Sequence, residues 1–208
     1  MTKDGLDQAD AAARLFAALT PWLAGLDQES LRPFIEPLER AVRLRHPEPG
    51  GLPILVWLDS LTETASVSTT PLVAELVETA FDLKWSQTYA AGDLGSRFLQ
   101  RYGWTELVGQ RGPFHSDEVA AGFMMLGPDI EYPSHRHVAE EIYVVLSGAA
   151  SWSRDGVSNT QRPGTLIHHK SLIWHGVATS QDPLLTLYLW RGGDLTQKSE
   201  IQAARTPA

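Results

Sequence analysis

Four side chains able to bind a metal ion, His135, His137, Glu141 and Tyr143, lie in one short stretch, Tyr132-Pro-Ser-His-Arg-His-Val-Ala-Glu-Glu-Ile-Tyr-Val-Val-Leu-Ser-Gly148. His135 and His137 are two apart, as are Glu141 and Tyr143. On an extended strand residues i and i+2 share a face, so each pair can point at one centre. Imidazole nitrogens with a carboxylate suit a borderline divalent metal such as zinc or ferrous iron. Ile142, Val144 and Leu146 then face the other way, and Ser147-Gly148 supplies a turn.

The pattern His135-x-His137-x3-Glu141-x6-Gly148 resembles the first motif of the cupins, β-barrels that hold a metal inside. Their second motif places one more histidine on a later strand after a Pro/Gly turn. Pro163-Gly164 and the run to His175-Gly176 fit it loosely, with His175 as the ligand. Glu141-x-Tyr143, with Tyr132 just before the histidines, resembles the cupin lyases acting on dimethylsulfoniopropionate (DMSP), the DddQ-like group most closely. The resemblance covers roughly the last 90 residues. It implies a mainly β protein, a double-stranded β-helix or jelly-roll barrel, with an α-helical N-terminal portion. It also implies one divalent transition metal (zinc, iron(II) or manganese) held among His137, Glu141, His175, Tyr143 and His135. The implied reaction is β-elimination of DMSP to dimethylsulfide and acrylate, with Tyr143 as base and Tyr132 assisting. A dioxygenase or a sugar isomerase uses similar ligands, and a non-catalytic cupin binds small molecules without turnover, so these alternatives stand.

Strand parity puts Tyr143 on the face of Glu141. A phenol beside a divalent cation loses its proton more easily than the free group, whose pKa is about 10, and can then act as a base. A sulfonium is a soft cation drawn to aromatic faces, and Trp190, Tyr188 and Trp152 are candidates for such a substrate-binding wall. Thr186, Tyr188 and Trp190 share one strand face, and Leu185, Leu187 and Leu189 the other. His168 and His169 are adjacent, so at most one faces a cavity, and surface exposure is the expectation for the pair. His46 and His115 are expected in solvated loops.

These residues must be positioned by the rest of a 208-residue chain, long enough to bury a sizeable core. It has no cysteine, which removes disulfides, thiolate zinc sites and nucleophilic thiols. A formal net charge of −8 argues against nucleic acid as a partner. No apolar run approaches the roughly 18 residues of a membrane helix, and the N-terminus carries no signal pattern. The expectation is a cytoplasmic monomer or homodimer that meets neither membrane nor nucleic acid and takes a small zwitterionic sulfonium substrate.

Apolar steps of three and four residues predict helices over Leu6 to Leu26, with a break or kink at Pro21, and over Ser30 to Leu44. Further helices are predicted over Pro71 to Leu83 and Gly92 to Tyr102. From Trp104 short β-like runs take over: Glu118 to Leu126, Glu141 to Leu146, Ala149 to Ser153, Thr165 to His168, Ser171 to Trp174 and Leu184 to Trp190. The organisation expected is a helical cap over residues 1–103 packed on a cupin barrel over 104–195. A polar, loosely ordered tail over 196–208 follows.

Overall fold

In the computed structural model, which describes residues 3–202, four helices and two short strands precede the main run of strands. They are α1 (Lys3–Gly25), α2 (Arg32–Glu39), β1 (Val42–Arg43), α3 (Thr70–Thr79), β2 (Trp85–Ser86) and α4 (Ala91–Gln100). Then come β3 (Tyr102–Val108), β4 (Phe114–His115), β5 (Val119–Leu126), β6 (Glu131–Arg136), β7 (Glu140–Ser147) and β8 (Ala150–Arg154). β9 (Val157–Gln161), β10 (Leu166–His169), β11 (His175–Thr179), β12 (Leu184–Arg191) and β13 (Glu200–Ile201) complete the fold. One sheet runs β1-β4-β3-β5-β12-β7-β10, with β2 paired to β3; the other runs β13-β6-β11-β8-β9.

The larger sheet is buried on both faces, and this decides where the site lies. Phe123, Met125, Ile142, Val144, Leu146, Leu185, Leu187 and Leu189 form one core with Leu15, Leu19, Leu23, Phe34, Leu38, Leu72 and Leu76 of the helices. The alternate residues Met124, Leu126, Tyr143, Val145 and Tyr188 turn inward and pack with Trp152, Ile167 and Val177. Each fully buried leucine contributes roughly 2 kcal/mol by leaving water, so the helices and the sheet's outer face stabilise one another. Hydroxyls stitch the seam: Ser147 Oγ donates to the Leu61 carbonyl (2.6 Å) and Thr69 Oγ1 to that of Leu146 (2.7 Å). The parity expected for β7 and β12 holds along both strands.

Several local expectations change. Residues 170–174 form a turn rather than a strand, with Leu172 at φ 63° and its N–H donating to the His137 carbonyl (2.9 Å). The strand therefore starts at His175. The second helix stops at Glu39 instead of Leu44, because Val42 and Arg43 pair with His115 and Phe114. Helix α1 continues through Pro21, since Leu19 and Leu23 on either side are both buried against the core. The tail expected to be loose from Thr196 lays Glu200 and Ile201 against Arg136 and His135 of β6; residues 203–208 lie outside those described.

Gly148 closes the turn from β7 to β8 at φ +76°, where a Cβ would sit 2.1 Å from the Pro183 carbonyl oxygen. That oxygen and the next nearest atoms, Pro183 C and Leu184 Cα, are backbone rather than flexible side-chain ends. Gly148→Ala is expected to destabilise the fold by at least about 2 kcal/mol, from backbone strain and overlap together, as read by urea unfolding.

Candidate metal centre

β6 and β11 are neighbours with His135 opposite His175, and β7 carries Glu141 and Tyr143 on the facing sheet. His137 follows the end of β6. The side chains of His135, His137, Glu141 and His175 are all buried. One nitrogen from each of the three imidazoles falls in a group whose members lie within 4.8 Å of one another, close enough to hold a metal ion. Glu141 Oε2 is 3.0 Å from His137 Nε2 and 3.1 Å from His175 Nε2.

The hydrogen bonds behind these rings define which nitrogen faces inward. Nδ1 of His135, His137 and His175 lies 2.8, 2.9 and 2.9 Å from the carbonyls of Pro133, Ala139 and Ile173. A carbonyl only accepts, so each Nδ1 carries a proton, and each Nε2 presents a lone pair whenever its ring is neutral. His175 Nε2 is buried and makes no aligned hydrogen bond. Lone pairs held about 3 Å from a carboxylate oxygen repel unless a proton or a cation lies at their focus. Three imidazole nitrogens with one carboxylate oxygen are a donor set that fits a divalent metal.

The charges respond accordingly. Burial works to raise the Glu141 carboxyl, but His137 and His175 outweigh it and hold it well below its ordinary range. Burial works against the His137 cation, and Glu141 outweighs it, so His137 is raised. Burial, then His175, push His135 well down. Burial, then the Glu141 charge, push the Tyr143 phenol well above 10.

Tyr143, Tyr132, Glu141 and His135 border a chamber together with Tyr188 and Trp190. Tyr143 Oη sits 4.0 Å from Met124 Sδ. The Tyr132 ring stacks on His135 at 4.0 Å, and its hydroxyl lies 2.8 Å from that of Tyr89. Trp190 Nε1 donates to Glu141 Oε1 while its ring lies 4.1 Å from His137, so it orients the Glu141 carboxylate as well as lining the chamber. Trp152 stands behind Tyr143, ring centroids 4.9 Å apart, and borders a different recess.

His169 departs from the surface expectation. It is buried, sits opposite Glu141 in the β10–β7 register, and stacks on His175 at 4.1 Å. Its neighbour His168 points outward to Glu140 Oε1 (2.7 Å). His115 is held between Arg45 and Asp117, both 3.2 Å away, rather than standing free in solvent; His46 is exposed. Tyr89, from the loop before α4, and Tyr102, at the start of β3, pack around Tyr132 and were not among the residues singled out by motif. Only their positions in the fold bring them here.

Two facing sheets with histidines and a glutamate converging between them define a cupin barrel with a helical N-terminal portion. Residues 27–186 match the dimethylsulfoniopropionate lyase family, and the chain belongs to that family of carbon–sulfur lyases. It is 37% identical over 110 residues to dimethylsulfoniopropionate lyase DddQ of Ruegeria pomeroyi, covering 52% of this chain and 55% of that protein. The chain thus spans about half the length of the curated relatives it matches. The crystal structure of DMSP lyase DddQ from Ruegeria pomeroyi DSS-3 superposes with a TM-score of 0.85 at 26% identity, covering 95% of this chain and 99% of that one. A structure described with the DMSP lyases RdDddP and RnDddQII gives 0.83 at 30% identity, covering 94% and 99%. Among the described residues no helix is long and apolar enough to cross a membrane.

Burial, and then His175, push the His169 ring down to about 3 from its ordinary 6.5. Below 6.5 the unfolded chain takes up a proton here that the folded chain refuses. The stability tied to this ring is therefore present above 6.5 and lost as pH falls towards 3. In chelator-treated protein, His169→Phe is expected to remove about 1.4 kcal/mol of the stability lost between roughly pH 7.5 and 5.5. Urea unfolding at both pH values checks this; equal acid losses in the two proteins would contradict the buried placement.

Proposed function

We propose that the protein cleaves dimethylsulfoniopropionate to dimethylsulfide and acrylate by a metal-dependent β-elimination with a tyrosine base. The observation that carries this reading is the convergence of three imidazole Nε2 atoms and Glu141 Oε2 in a buried chamber that Tyr143 and Tyr132 share. The family membership and the named relatives supply the substrate class. His137, Glu141 and His175 are the ligands proposed for one divalent ion, with His135 beside them. When bound, such an ion supplies Lewis acidity, polarising a substrate carboxylate so that its α-proton becomes acidic, and supplies positive charge beside the Tyr143 phenol.

The chain's own residues do the rest. Tyr143, as phenolate, takes the α-proton; the C–H electron pair becomes the second bond of the alkene, and the C–S pair leaves with dimethylsulfide. That leaving group is neutral, so no acid is needed to protonate it. The faces of Tyr188 and Trp190 offer a cationic sulfonium their quadrupoles and exclude water. Tyr132, stacked on His135 and bonded to Tyr89, holds a second hydroxyl at the chamber wall. The helical N-terminal part acts as a cap that shares the barrel's outer core rather than as an independent unit. The cell compartment proposed remains the cytoplasm, with the chain a monomer or homodimer.

Purified protein is expected to carry about one divalent ion per chain, measured by elemental analysis. His137→Ala, Glu141→Ala and His175→Ala should each abolish that content, and His135→Ala should reduce it less. Full occupancy in the first three would remove the ligand assignment.

Gas chromatography of dimethylsulfide released from DMSP tests the reaction itself; release no faster than from heat-killed protein would sink it. Tyr143→Phe removes one oxygen and keeps the ring. The kcat is expected to fall at least about 100-fold with metal content retained. Metal and activity lost together, with activity restored by excess metal, would make Tyr143 a ligand rather than the base.

A further inference from the structure

The chamber has walls from both sheets, and one segment crosses from sheet to sheet along its border. β12 ends at Arg191 in the larger sheet, and β13 pairs Glu200 and Ile201 with Arg136 and His135 of β6 in the smaller one. Between them residues 192–199 form neither helix nor strand. The alternate side chains Leu195, Gln197 and Ser199 border the chamber, while Thr196 and Lys198 are exposed. Leu195 and Ser199 are buried, as is the chamber residue His135.

The segment is fastened mainly by side chains. Leu195 packs with Ala120, Ala139 and Trp190, and its carbonyl accepts from the Arg111 guanidinium (3.3 Å). Gln197 Oε1 accepts from the Val138 N–H (3.1 Å). Lys198 Nζ donates to Asp93 Oδ2 (2.8 Å) in the first turn of α4 and sits 5.3 Å from the Tyr89 ring. Arg136 donates to both Glu200 carboxylate oxygens (2.8 and 3.2 Å). Ion pairs this open to solvent hold weakly and are screened by salt. At the β12 end stand Gly192 and Gly193, both left-handed at φ 73° and 67°. A side chain at Gly193 would meet Val138 Cγ1 at 2.7 Å. Two successive glycines let the backbone change φ and ψ at low cost, which is what a hinge requires.

We propose that residues 192–201 are a hinged strap that admits small molecules to the chamber. It swings on Gly192–Gly193, releases the two-residue β13 from β6, and is latched shut by the Lys198–Asp93 ion pair. Tyr89, beside the Lys198 ammonium, bonds in turn to Tyr132 of the chamber wall, so the latch closes directly against the site. Access of this kind is independent of which reaction the chamber performs.

Two readouts on the full chain test the strap. Trypsin cutting after Lys198, identified by mass, follows the population of the open form. Acylation of His135 by diethyl pyrocarbonate in chelator-treated protein, measured against exposed His46, follows entry of a small molecule. Asp93→Asn keeps an oxygen to accept from the Ala90 N–H but loses the charge facing Lys198. Both rates are expected to rise about threefold in this variant at low salt, the effect of losing one exposed ion pair. In the unaltered chain both should also rise between roughly 0.05 and 0.5 M salt, and by less in the variant. A second variant, Arg136→Cys with Glu200→Cys, joins residues opposite each other in register, at a separation a disulfide spans, in a chain otherwise free of cysteine. Its oxidised form is expected to be cut after Lys198 at least about tenfold more slowly than its reduced form. Unchanged rates in Asp93→Asn, cutting indifferent to the disulfide, or faster cutting without faster His135 acylation would each overturn the proposal.

Discussion

The carbonyls of Pro133, Ala139 and Ile173 each accept from the Nδ1–H of a histidine two residues away, and the electrostatics of the site follow from those three bonds. With Nδ1 committed outward, three Nε2 atoms converge on a carboxylate that burial alone would neutralise. The Glu141 carboxyl stays ionised because His137 and His175 stand against it, and Trp190 fixes its other oxygen. Such an arrangement is expensive in an apolar interior unless positive charge occupies its focus. The chain spends backbone carbonyls, rather than further acidic side chains, on orienting its imidazoles. The interior therefore gains orientation without gaining negative charge.

That economy depends on a sheet buried twice over. β5, β7 and β12 each present one row of side chains to the helices and the alternate row to the chamber. A strand with one wet face would put polar residues at every second position. Here all eight residues of β5 are buried, as are seven of the eight in β7. Rigidity of the outer row fixes the inner one, since a one-residue slip would turn Glu141 and Tyr143 into the helix-packed core. The helices thus act on the site through register, by packing on the sheet's outer face.

Much of the candidate site was legible in the sequence because the residues proposed as its ligands are local. Spacings of two within His135-x-His137 and Glu141-x-Tyr143 translate into shared faces by geometry alone, and the Leu185/Tyr188 parity of β12 follows in the same way. His169 was not legible: neighbouring His168 and His169 must point oppositely, yet nothing local says which turns inward. The choice is made by the pairing of β10 with β7, a non-local contact. Tyr89 and Tyr102 were hidden for the same reason, one arriving from the loop before α4 and the other from the start of β3 to surround Tyr132. The false strand over residues 171–174 had β-forming side chains, but its Leu172 N–H is used to tie down the His137 loop, so the backbone turns instead.

Charge arithmetic links this architecture to the chemistry proposed for it. Glu141 contributes one negative charge and three neutral imidazoles contribute none, so a divalent cation among them would leave the centre with one positive charge. One carboxylate from a substrate would then bring it to neutrality. The phenol of Tyr143 is held protonated by burial and by Glu141 as long as that positive charge is missing, so the same cation that would bind substrate would also make the base available. Tyr132 is pushed up first by burial and then by the neighbouring tyrosines Tyr102 and Tyr89. Of the two phenols, Tyr143 is thus the one whose proton is most directly governed by the centre, because its main charged neighbour is Glu141, itself a proposed ligand. A base that forms only when the centre is charged would leave the empty site inert, and that coupling is built from strand parity and one carboxylate.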